Sequence, residues 1–175
     1  MSFVDNPLLT VIVPVYNLES EIIRCLHSLY RQNNDNFEVI VVNDGSTDNS
    51  AIKIANFIND RELNESFRLI TTENYGVSLA RNKGLENSKG DYVLFLDGDD
   101  YVKNHFMSTI SNAIKENLNV EAISFGYDQI DKNGHISNFN SISNLDEKII
   151  TGRELLKLIS TKKYKVWTSS IVYRK

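Results

Sequence analysis

The first hundred residues alternate short apolar runs with segments of helical hydrophobic spacing, and this alternation limits the folds open to the chain. The runs are apolar at both odd and even positions, and they read LTVIVPVY (9–16), FEVIVV (37–42), FRLIT (67–71) and DYVLFL (91–96). Such runs are typical of strands that are covered on both faces. Helices are predicted between them, over residues 19–31, from a cap at Thr47 or Asp48 to about Asn59, and over 76–87. The order predicts an α/β fold with a mostly parallel central sheet and helices on both faces.

Two details of the helices follow from their residues. The second helix is predicted to bury a stripe made up of Ile52, Ile54, Ala55 and Ile58. The third helix contains Gly84, which is predicted to interrupt it because glycine is a poor helix former.

The second half of the chain has a mixed pattern. Its predicted elements are a helix over 103–117, a strand over 121–127, a hairpin at Asn133-Gly134, a capping box at Thr151 and Glu154, and a last strand over 166–174. No repeat or linker occurs in the 175 residues, so the chain is interpreted as one domain, 1–175.

Composition excludes several classes of protein. The net charge is −4 without a basic run, which argues against a nucleic-acid partner. The N-terminus does not resemble a signal peptide, and no apolar stretch approaches the roughly 20 residues that a membrane helix requires. A cytoplasmic location, including the inner face of the membrane, is therefore expected. The one cysteine, Cys25, is predicted to be a buried, unreactive thiol.

Polar clusters follow three of the predicted strands. Asn17 and Glu19 follow the first, Asp44 follows the second, and three aspartates in four positions follow the fourth. One such cluster alone is more often turn chemistry, because Asp, Asn and Gly form turns well. A parallel sheet brings the carboxyl ends of its strands to one edge, where ligands bind. Three clusters at that edge favour a shared site.

The third cluster has the spacing of a cation site. Asp97 and Asp99 are separated by one residue, so in an extended segment both carboxylates face the same point. Two oxygen donors of this kind suit Mn²⁺ or Mg²⁺, with substrate phosphates as further ligands. A solvated turn is the alternative. Asp100 would point away and is predicted to cap the helix that begins near residue 103.

Other common sites are absent from the sequence. No G-x-G-x-x-G follows the first strand, and no P-loop motif or G-x-S-x-G elbow occurs. The three histidines, His27, His105 and His135, lack the spacing of zinc ligands. These absences disfavour dinucleotide enzymes, P-loop enzymes, α/β-hydrolases and zinc enzymes.

The motifs together resemble those of family 2 glycosyltransferases, which have the GT-A fold. They are TVIVPVYN, VIVVNDGSTDNS, NYGVSLARNKGLENSKGDYVLFLDGDD and VWTSSIVYRK, in that order. The resemblance is strong from Leu8 to Tyr101 and weaker from there to the end. It implies transfer of a sugar from a UDP-sugar to a glycan or lipid-linked acceptor with inversion, and peripheral membrane association through regions outside this sequence.

The resemblance also implies roles for individual residues. It places Pro14, Tyr16 and Asn17 in the nucleotide pocket, with Glu19 close by. Asp44 would accept a hydrogen bond from uracil, and Arg81 would lie beside the nucleotide. Asp97 and Asp99 would form a D-x-D motif that holds the ribose and a divalent metal, with Asp99 as the more direct metal ligand.

The resemblance leaves the general base and the acceptor side unassigned. In related enzymes the base is the Asp of a Glu-Asp pair after a segment like VWTSSIVYRK, and no such pair occurs here. The base is therefore expected beyond Lys175, with the chain as a C-terminally truncated part that binds UDP and metal but transfers sugar poorly. Asp128 or Asp131 is the alternative base. Trp167 would line the acceptor site or pack in the core, and Thr168–Ser170 depart from the family pattern.

Three other functions compete with this interpretation. A phosphatase-like hydrolase uses a similar D-x-D motif, but Tyr101 stands where Thr or Val is expected. A non-catalytic nucleotide-binding module would keep the same scaffold without the base. A nucleotidyltransferase is disfavoured because VPVYNLES, after the first strand, contains no glycine.

Overall fold

The computed structural model describes residues 6–32, 36–139, 149–161 and 168–175. The chain forms two compact units. The first comprises the residues up to Ile123 together with Val172–Lys175, and the second comprises Ser124–Ile171. The strands are β1 (Leu9–Val15), β2 (Phe37–Asp44), β3 (Phe67–Thr72), β4 (Tyr92–Phe95), β5 (Ala122–Ser124), β6 (Tyr127–Ile130), β7 (Ile136–Phe139) and β8 (Ile171–Arg174). The helices are α1 (Ile22–Tyr30), α2 (Ser50–Asn59), α3 (Val77–Asn87), α4 (Phe106–Glu116) and α5 (Gly152–Ser160).

A six-stranded sheet in the order β3-β2-β1-β4-β8-β5 organises the first unit. β3, β2, β1 and β4 run parallel, whereas β8 is antiparallel to β4. Residues of the sheet and of α3 form a buried hydrophobic cluster, made up of Ile12, Ile40, Val42, Ala80 and Val93. The predicted α/β class with a mostly parallel sheet is confirmed.

Strand β2 is longer than its apolar run. It continues beyond the predicted end at residue 42, through Asn43 and Asp44, because these two residues pair with Thr71 and Thr72 of β3. Both residues are buried. The sheet ladder thus overrides the turn preference of Asn and Asp, and it fixes the Asp44 side chain at the end of a strand.

The predicted buried face of α2 is partly wrong. Ile54 and Ile58 are buried, but the Ile52 side chain is 61% exposed and Phe57 is buried instead. Helix α2 packs against α1 and β3, and this packing selects the 54, 57, 58 side of the helix. Ile52 lies outside that side.

Gly84 does not interrupt α3, which is continuous from Val77 to Asn87. A Cβ at residue 84 would lie 2.3 Å from Cγ2 of the buried Ile12. The glycine therefore allows the helix backbone to approach β1 closely. Sequence reasoning saw the low helix propensity of Gly84 but not the packing that requires it.

The second unit contains the predicted hairpin and capping box. Strands β6 and β7 pair antiparallel around Gly134, which has a φ of 80°. Thr151 and Glu154 form both hydrogen bonds of a capping box at α5. The single strand predicted over 121–127 is wrong, because β5 ends at Ser124 and β6 begins at Tyr127.

The last predicted strand is shorter than expected. A 3-10 turn over Thr168–Ser170 precedes β8, while Val166 and Trp167 lie outside the described residues. Helix α4 also begins later than predicted, at Phe106, with His105 as its N-cap residue. Across the described ranges, no helix is both long enough and apolar enough to cross a membrane.

Candidate functional site

The carboxyl ends of β1, β2 and β4 lie together at one edge of the parallel sheet. Val15 at the end of β1 pairs with Asn43, and Ile12 pairs with Phe95 at the end of β4. The polar clusters that follow these strands are therefore neighbours. This edge is where α/β folds bind ligands.

The loops after β1 and β2 are tied together by side chains. Asn17 has a positive φ of 53°, and its Oδ1 accepts the Thr47 N–H at 2.8 Å. Glu19 Oε2 accepts the Asn49 N–H at 3.0 Å, and the Glu19 N–H donates to Asp48 Oδ2 at 3.1 Å. Asn17 and Glu19 thus fix the NDGSTD loop.

The other residues predicted near the nucleotide differ in exposure. Pro14 is buried within β1, so only the following residues open toward solvent. The Tyr16 side chain is 47% exposed at the end of the strand. Asp48, one of the two predicted caps, accepts the Ser50 N–H at 2.9 Å, while Asn49 is the N-cap residue of α2.

Asp44 connects the sheet to the start of α3. It is 3% exposed, and its two carboxylate oxygens accept the Tyr75 N–H at 2.9 Å and the Gly76 N–H at 2.8 Å. Gly76 is the N-cap residue of α3. The negative charge at this helix N-terminus is favourable, because free N–H groups concentrate there.

Gly45 makes this connection possible. Its φ is 67°, and a Cβ on it would lie 2.7 Å from the Asn74 main-chain nitrogen. Only glycine combines that conformation with that approach at low cost. The DG dipeptide in NDGSTD therefore allows the 73–76 loop to lie against the end of β2.

The D-G-D-D segment is a turn and not an extended segment. The Asp100 N–H donates to the Asp97 carbonyl at 2.9 Å, which closes a four-residue turn. The prediction that Asp97 and Asp99 lie in an extended segment, with their carboxylates on the same side, is therefore wrong. The prediction that Asp100 caps α4 is also wrong, since that helix begins at Phe106 after His105.

Gly98 seats this turn against β1 and its loop. A Cβ on Gly98 would lie 2.9 Å from Leu18 Cδ1, 3.2 Å from the Pro14 carbonyl oxygen and 3.3 Å from Val15 Cγ2. A larger residue would displace the flanking carboxylates. The middle residue of D-x-D thus has a packing role that the motif alone does not reveal.

Arg81 and Asp97 form the central ion pair of the site. Arg81 Nη2 donates to Asp97 Oδ1 at 2.6 Å, with the two side chains 23% and 38% exposed. Arg81 Nε is buried and has no hydrogen-bond partner within the described residues. A buried donor without a partner is costly, so Nε is the atom of this ion pair whose capacity to donate a hydrogen bond is unused.

The carboxylates of the turn influence one another. Burial and the charges of Asp99 and Asp97 raise the pKa of Asp100, and Arg24 opposes the shift. Burial, followed by the charges of Asp100 and Asp99, also raises the pKa of the Cys25 thiol. Cys25 is buried, as predicted, and stays protonated near neutral pH.

The donor set fits a cation that shares its ligands with a substrate. Within the described ranges, no group of three or more His, Cys, Asp or Glu side chains could hold a metal ion. Asp97 is paired with Arg81, and Asp99 is exposed. Mn²⁺ and Mg²⁺ commonly bind through one or two carboxylates together with phosphates and water, so these residues fit such an ion.

The alternative base Asp131 is engaged in the hairpin of the second unit. Its Oδ1 accepts the N–H groups of Asn133 and His135 at 2.8 and 2.9 Å. Hydrogen bonds from His135 lower the pKa of Asp131. A carboxylate with a lowered pKa is a weaker base, which argues against Asp131 in that role.

Solved structures place this fold in a class. The structure of S. aureus TarS 1-349 in complex with UDP-GlcNAc aligns with a TM-score of 0.74 at 26% identity, covering 95% of this chain and 45% of that one. The mannosyltransferase PcManGT from Pyrobaculum calidifontis, in complex with GDP-Man and Mn²⁺, aligns with a TM-score of 0.60 at 30% identity, covering 69% and 35%. The fold is that of the GT-A glycosyltransferases, as the resemblance implied.

Sequence comparison gives the family. The chain is 44% identical over 108 residues to Glycosyltransferase GlyA of Streptococcus pneumoniae serotype 4, covering 62% of this chain and 15% of the relative. It is 34% identical over 132 residues to Glycosyltransferase GlyG of that organism, covering 73% and 42%. The sequence model described as Glycosyl transferase family 2 matches residues 10–173, and the chain belongs to this family. It spans less than half the length of either relative.

Family membership decides between the enzyme classes considered for the sequence. The chain belongs to a family of glycosyltransferases, which argues against the hydrolase and nucleotidyltransferase alternatives. The D-x-D segment follows the fourth strand, whereas the similar motif of a phosphatase-like hydrolase normally follows the first strand of its fold.

Proposed function

We propose that the chain forms the donor-binding part of an inverting glycosyltransferase that uses a UDP-sugar and Mn²⁺ or Mg²⁺. The observation that carries this proposal is the Arg81–Asp97 ion pair with its unpartnered Nε, beside the exposed Asp99. One cation with a free donor and one free carboxylate are suited to a metal-bound diphosphate. The complexes of TarS with UDP-GlcNAc and of PcManGT with GDP-Man and Mn²⁺ support it.

The nucleotide base is proposed to lie near Tyr16 and Asp44. Tyr16 offers an exposed ring at the end of β1. Asp44 Oδ1 accepts both the Tyr75 N–H and the Thr72 hydroxyl, whereas Oδ2 accepts the Gly76 N–H. The second lone pair of Oδ2 is the one proposed to accept the uracil N–H. Pro14, Asn17 and Glu19 act by holding the two loops that flank the base.

The diphosphate is proposed to lie between Arg81 and Asp99. Arg81 orients Asp97 through their hydrogen bond and offers Nε to a ligand acceptor. Asp97 and Asp99 would hold the divalent cation, which neutralises charge on the departing diphosphate when it is bound. Gly98 keeps the two aspartates of the turn close to the end of β1.

The proposal extends to the sugar acceptor and to the general base that deprotonates it. We propose a glycan or lipid-linked acceptor and a general base beyond Lys175, with both units forming parts of one domain. A cytoplasmic location, including the inner membrane face, stays a prediction. Inversion is tested by NMR of the anomeric proton in the product formed by the full-length enzyme.

The direct test is a calorimetric titration of UDP, GDP and ADP into the protein with and without Mn²⁺. UDP is expected to bind most tightly and Mn²⁺ to enhance its affinity. Asp99→Ala should remove the enhancement while leaving metal-free UDP binding unchanged. The matched control is Asp91→Asn, since Asp91 is an exposed aspartate before the other end of β4.

Two results would contradict the proposal. Tighter binding of GDP than UDP would refute the UDP assignment. Equal Mn²⁺ enhancement in Asp99→Ala and the unmodified protein would remove Asp99 from the metal site. UDP binding without sugar transfer by the full-length protein would instead favour the non-catalytic module.

A further inference from the structure

One side of helix α1 contacts the main chain of the segment that begins with the acid turn. Arg24 and Ser28 are four residues apart on one face of α1, and Gln32 follows two residues after the helix ends at Tyr30. The contacts are Arg24 Nη2 to the Asp99 carbonyl at 2.8 Å, the Val102 N–H to Ser28 Oγ at 3.1 Å, and Gln32 Nε2 to the Lys103 carbonyl at 3.0 Å. The helix thus fixes the path of the chain just after Asp97.

Arg24 contacts this segment twice. Its guanidinium donates to the Asp99 carbonyl and also lies over the Tyr101 ring, 4.9 Å from the ring centroid. A planar guanidinium can donate in its plane and stack on an aromatic face at the same time, whereas a lysine ammonium cannot. The two contacts lie on either side of Asp100 and restrain the backbone that carries the Asp99 carboxylate.

The charge of Arg24 and its hydrogen bond act in opposite directions on a metal. A cation near the aspartates repels a divalent ion, so by charge alone its removal would tighten metal binding. The hydrogen bond to the Asp99 carbonyl instead holds the turn in one geometry, so its removal would weaken metal binding. The sign of the change therefore identifies which effect dominates.

We propose that Arg24, supported by Tyr101, is a positioning residue that orders the Asp99 turn for the divalent cation. This inference rests on the proposed function, because it assigns Asp99 to the metal. Arg24 does not touch the nucleotide in this scheme and acts only through the turn. Its side chain is exposed, so its replacement leaves the core intact.

The test measures Mn²⁺ affinity by electron paramagnetic resonance of free Mn²⁺, in the presence of saturating UDP. Arg24→Gln is expected to weaken Mn²⁺ binding about tenfold, which corresponds to the loss of one charged hydrogen bond. Tyr101→Leu should weaken it in the same direction. Tyr101→Phe keeps the ring and should retain the affinity of the unmodified protein.

The controls separate positioning from general effects. Arg31→Gln removes a cation just after the same helix, at its C-cap residue, and should leave Mn²⁺ affinity unchanged. UDP affinity in EDTA and the melting temperature should stay the same in Arg24→Gln. A positioning role thus changes metal affinity alone.

The outcomes distinguish this inference from the proposed function. Unchanged or tighter Mn²⁺ binding by Arg24→Gln would overturn the inference, as would equal affinities for Tyr101→Leu and Tyr101→Phe. Absence of Mn²⁺ binding by the unmodified protein with UDP would overturn the proposed metal site itself, and the inference with it. A parallel loss of UDP affinity in EDTA would show that Arg24 acts on the whole pocket.

Discussion

Replacing Asp44 by asparagine should destabilise the protein even when no nucleotide is present. The carboxylate of this buried residue accepts one main-chain N–H on each oxygen, from Tyr75 and Gly76. Asparagine keeps one acceptor oxygen and places an amide N–H₂ group against the other main-chain donor. The 73–76 loop would then lose one hydrogen bond and contain two donors that face each other.

The magnitude follows from the environment of the lost bond. A hydrogen bond to a charged group contributes about 1.5–3 kcal/mol, and burial without solvent favours the upper end. Loss of the negative charge at the N-terminus of α3 adds about 0.3–1 kcal/mol. The free energy of unfolding should therefore fall by about 3 kcal/mol. For a chain of this size that corresponds to a melting temperature lower by about 6–12 °C.

Urea unfolding followed by circular dichroism measures this change without a ligand. Asp44→Ala should lower the midpoint further than Asp44→Asn, because it removes both acceptors. The control is Asp60→Asn at the exposed C-cap residue of α2, which should change stability by less than about 0.5 kcal/mol. An unchanged midpoint for Asp44→Asn would refute the structural role and leave Asp44 as a residue for ligand binding alone.

Two further predictions concern packing and pH. Gly84→Ala should lower the free energy of unfolding by about 1–2 kcal/mol in a urea titration, because a clash with Ile12 outweighs the gain in helix propensity. Higher stability of this variant would contradict the prediction, because it would show that α3 and β1 separate freely. His27 has a pKa below 6.5 because of its burial and the nearby Arg61 charge, so stability is complete above pH 6.5 and falls as the pH drops through the folded pKa. His27→Gln should make unfolding less dependent on pH between about pH 7 and 5, and an identical pH dependence would contradict this.

Sequence patterns predicted the elements whose causes are local. Apolar runs and helical spacing gave four strands and three helices of the first unit, and the capping box at Thr151 was confirmed. The wrong predictions have tertiary causes. Asp44 joins a strand because β3 offers it a partner, and Ile52 is exposed because neighbouring elements select another side of α2.

The site shows the same division. Strand ends indicated which polar clusters meet, because parallel strands end at a common edge. The turn at Asp97 could not be derived from alternation, since its hydrogen bond joins residues three apart. The contact between Arg24 and Asp99 spans 75 positions, and no local signal marks it. The roles of Gly45 and Gly98 likewise depend on atoms that only the fold brings near.

The insertion of β8 between β4 and β5 has a consequence for synthesis on the ribosome. β1 to β4 can pair as soon as they emerge, but one edge of β4 gains its partner only when Ile171–Arg174 has been made. Until then a row of unpaired main-chain groups stays open to other chains. A nascent chain stalled before Ile171 would thus be an aggregation-prone species, and chaperone dependence should fall once β8 has been translated.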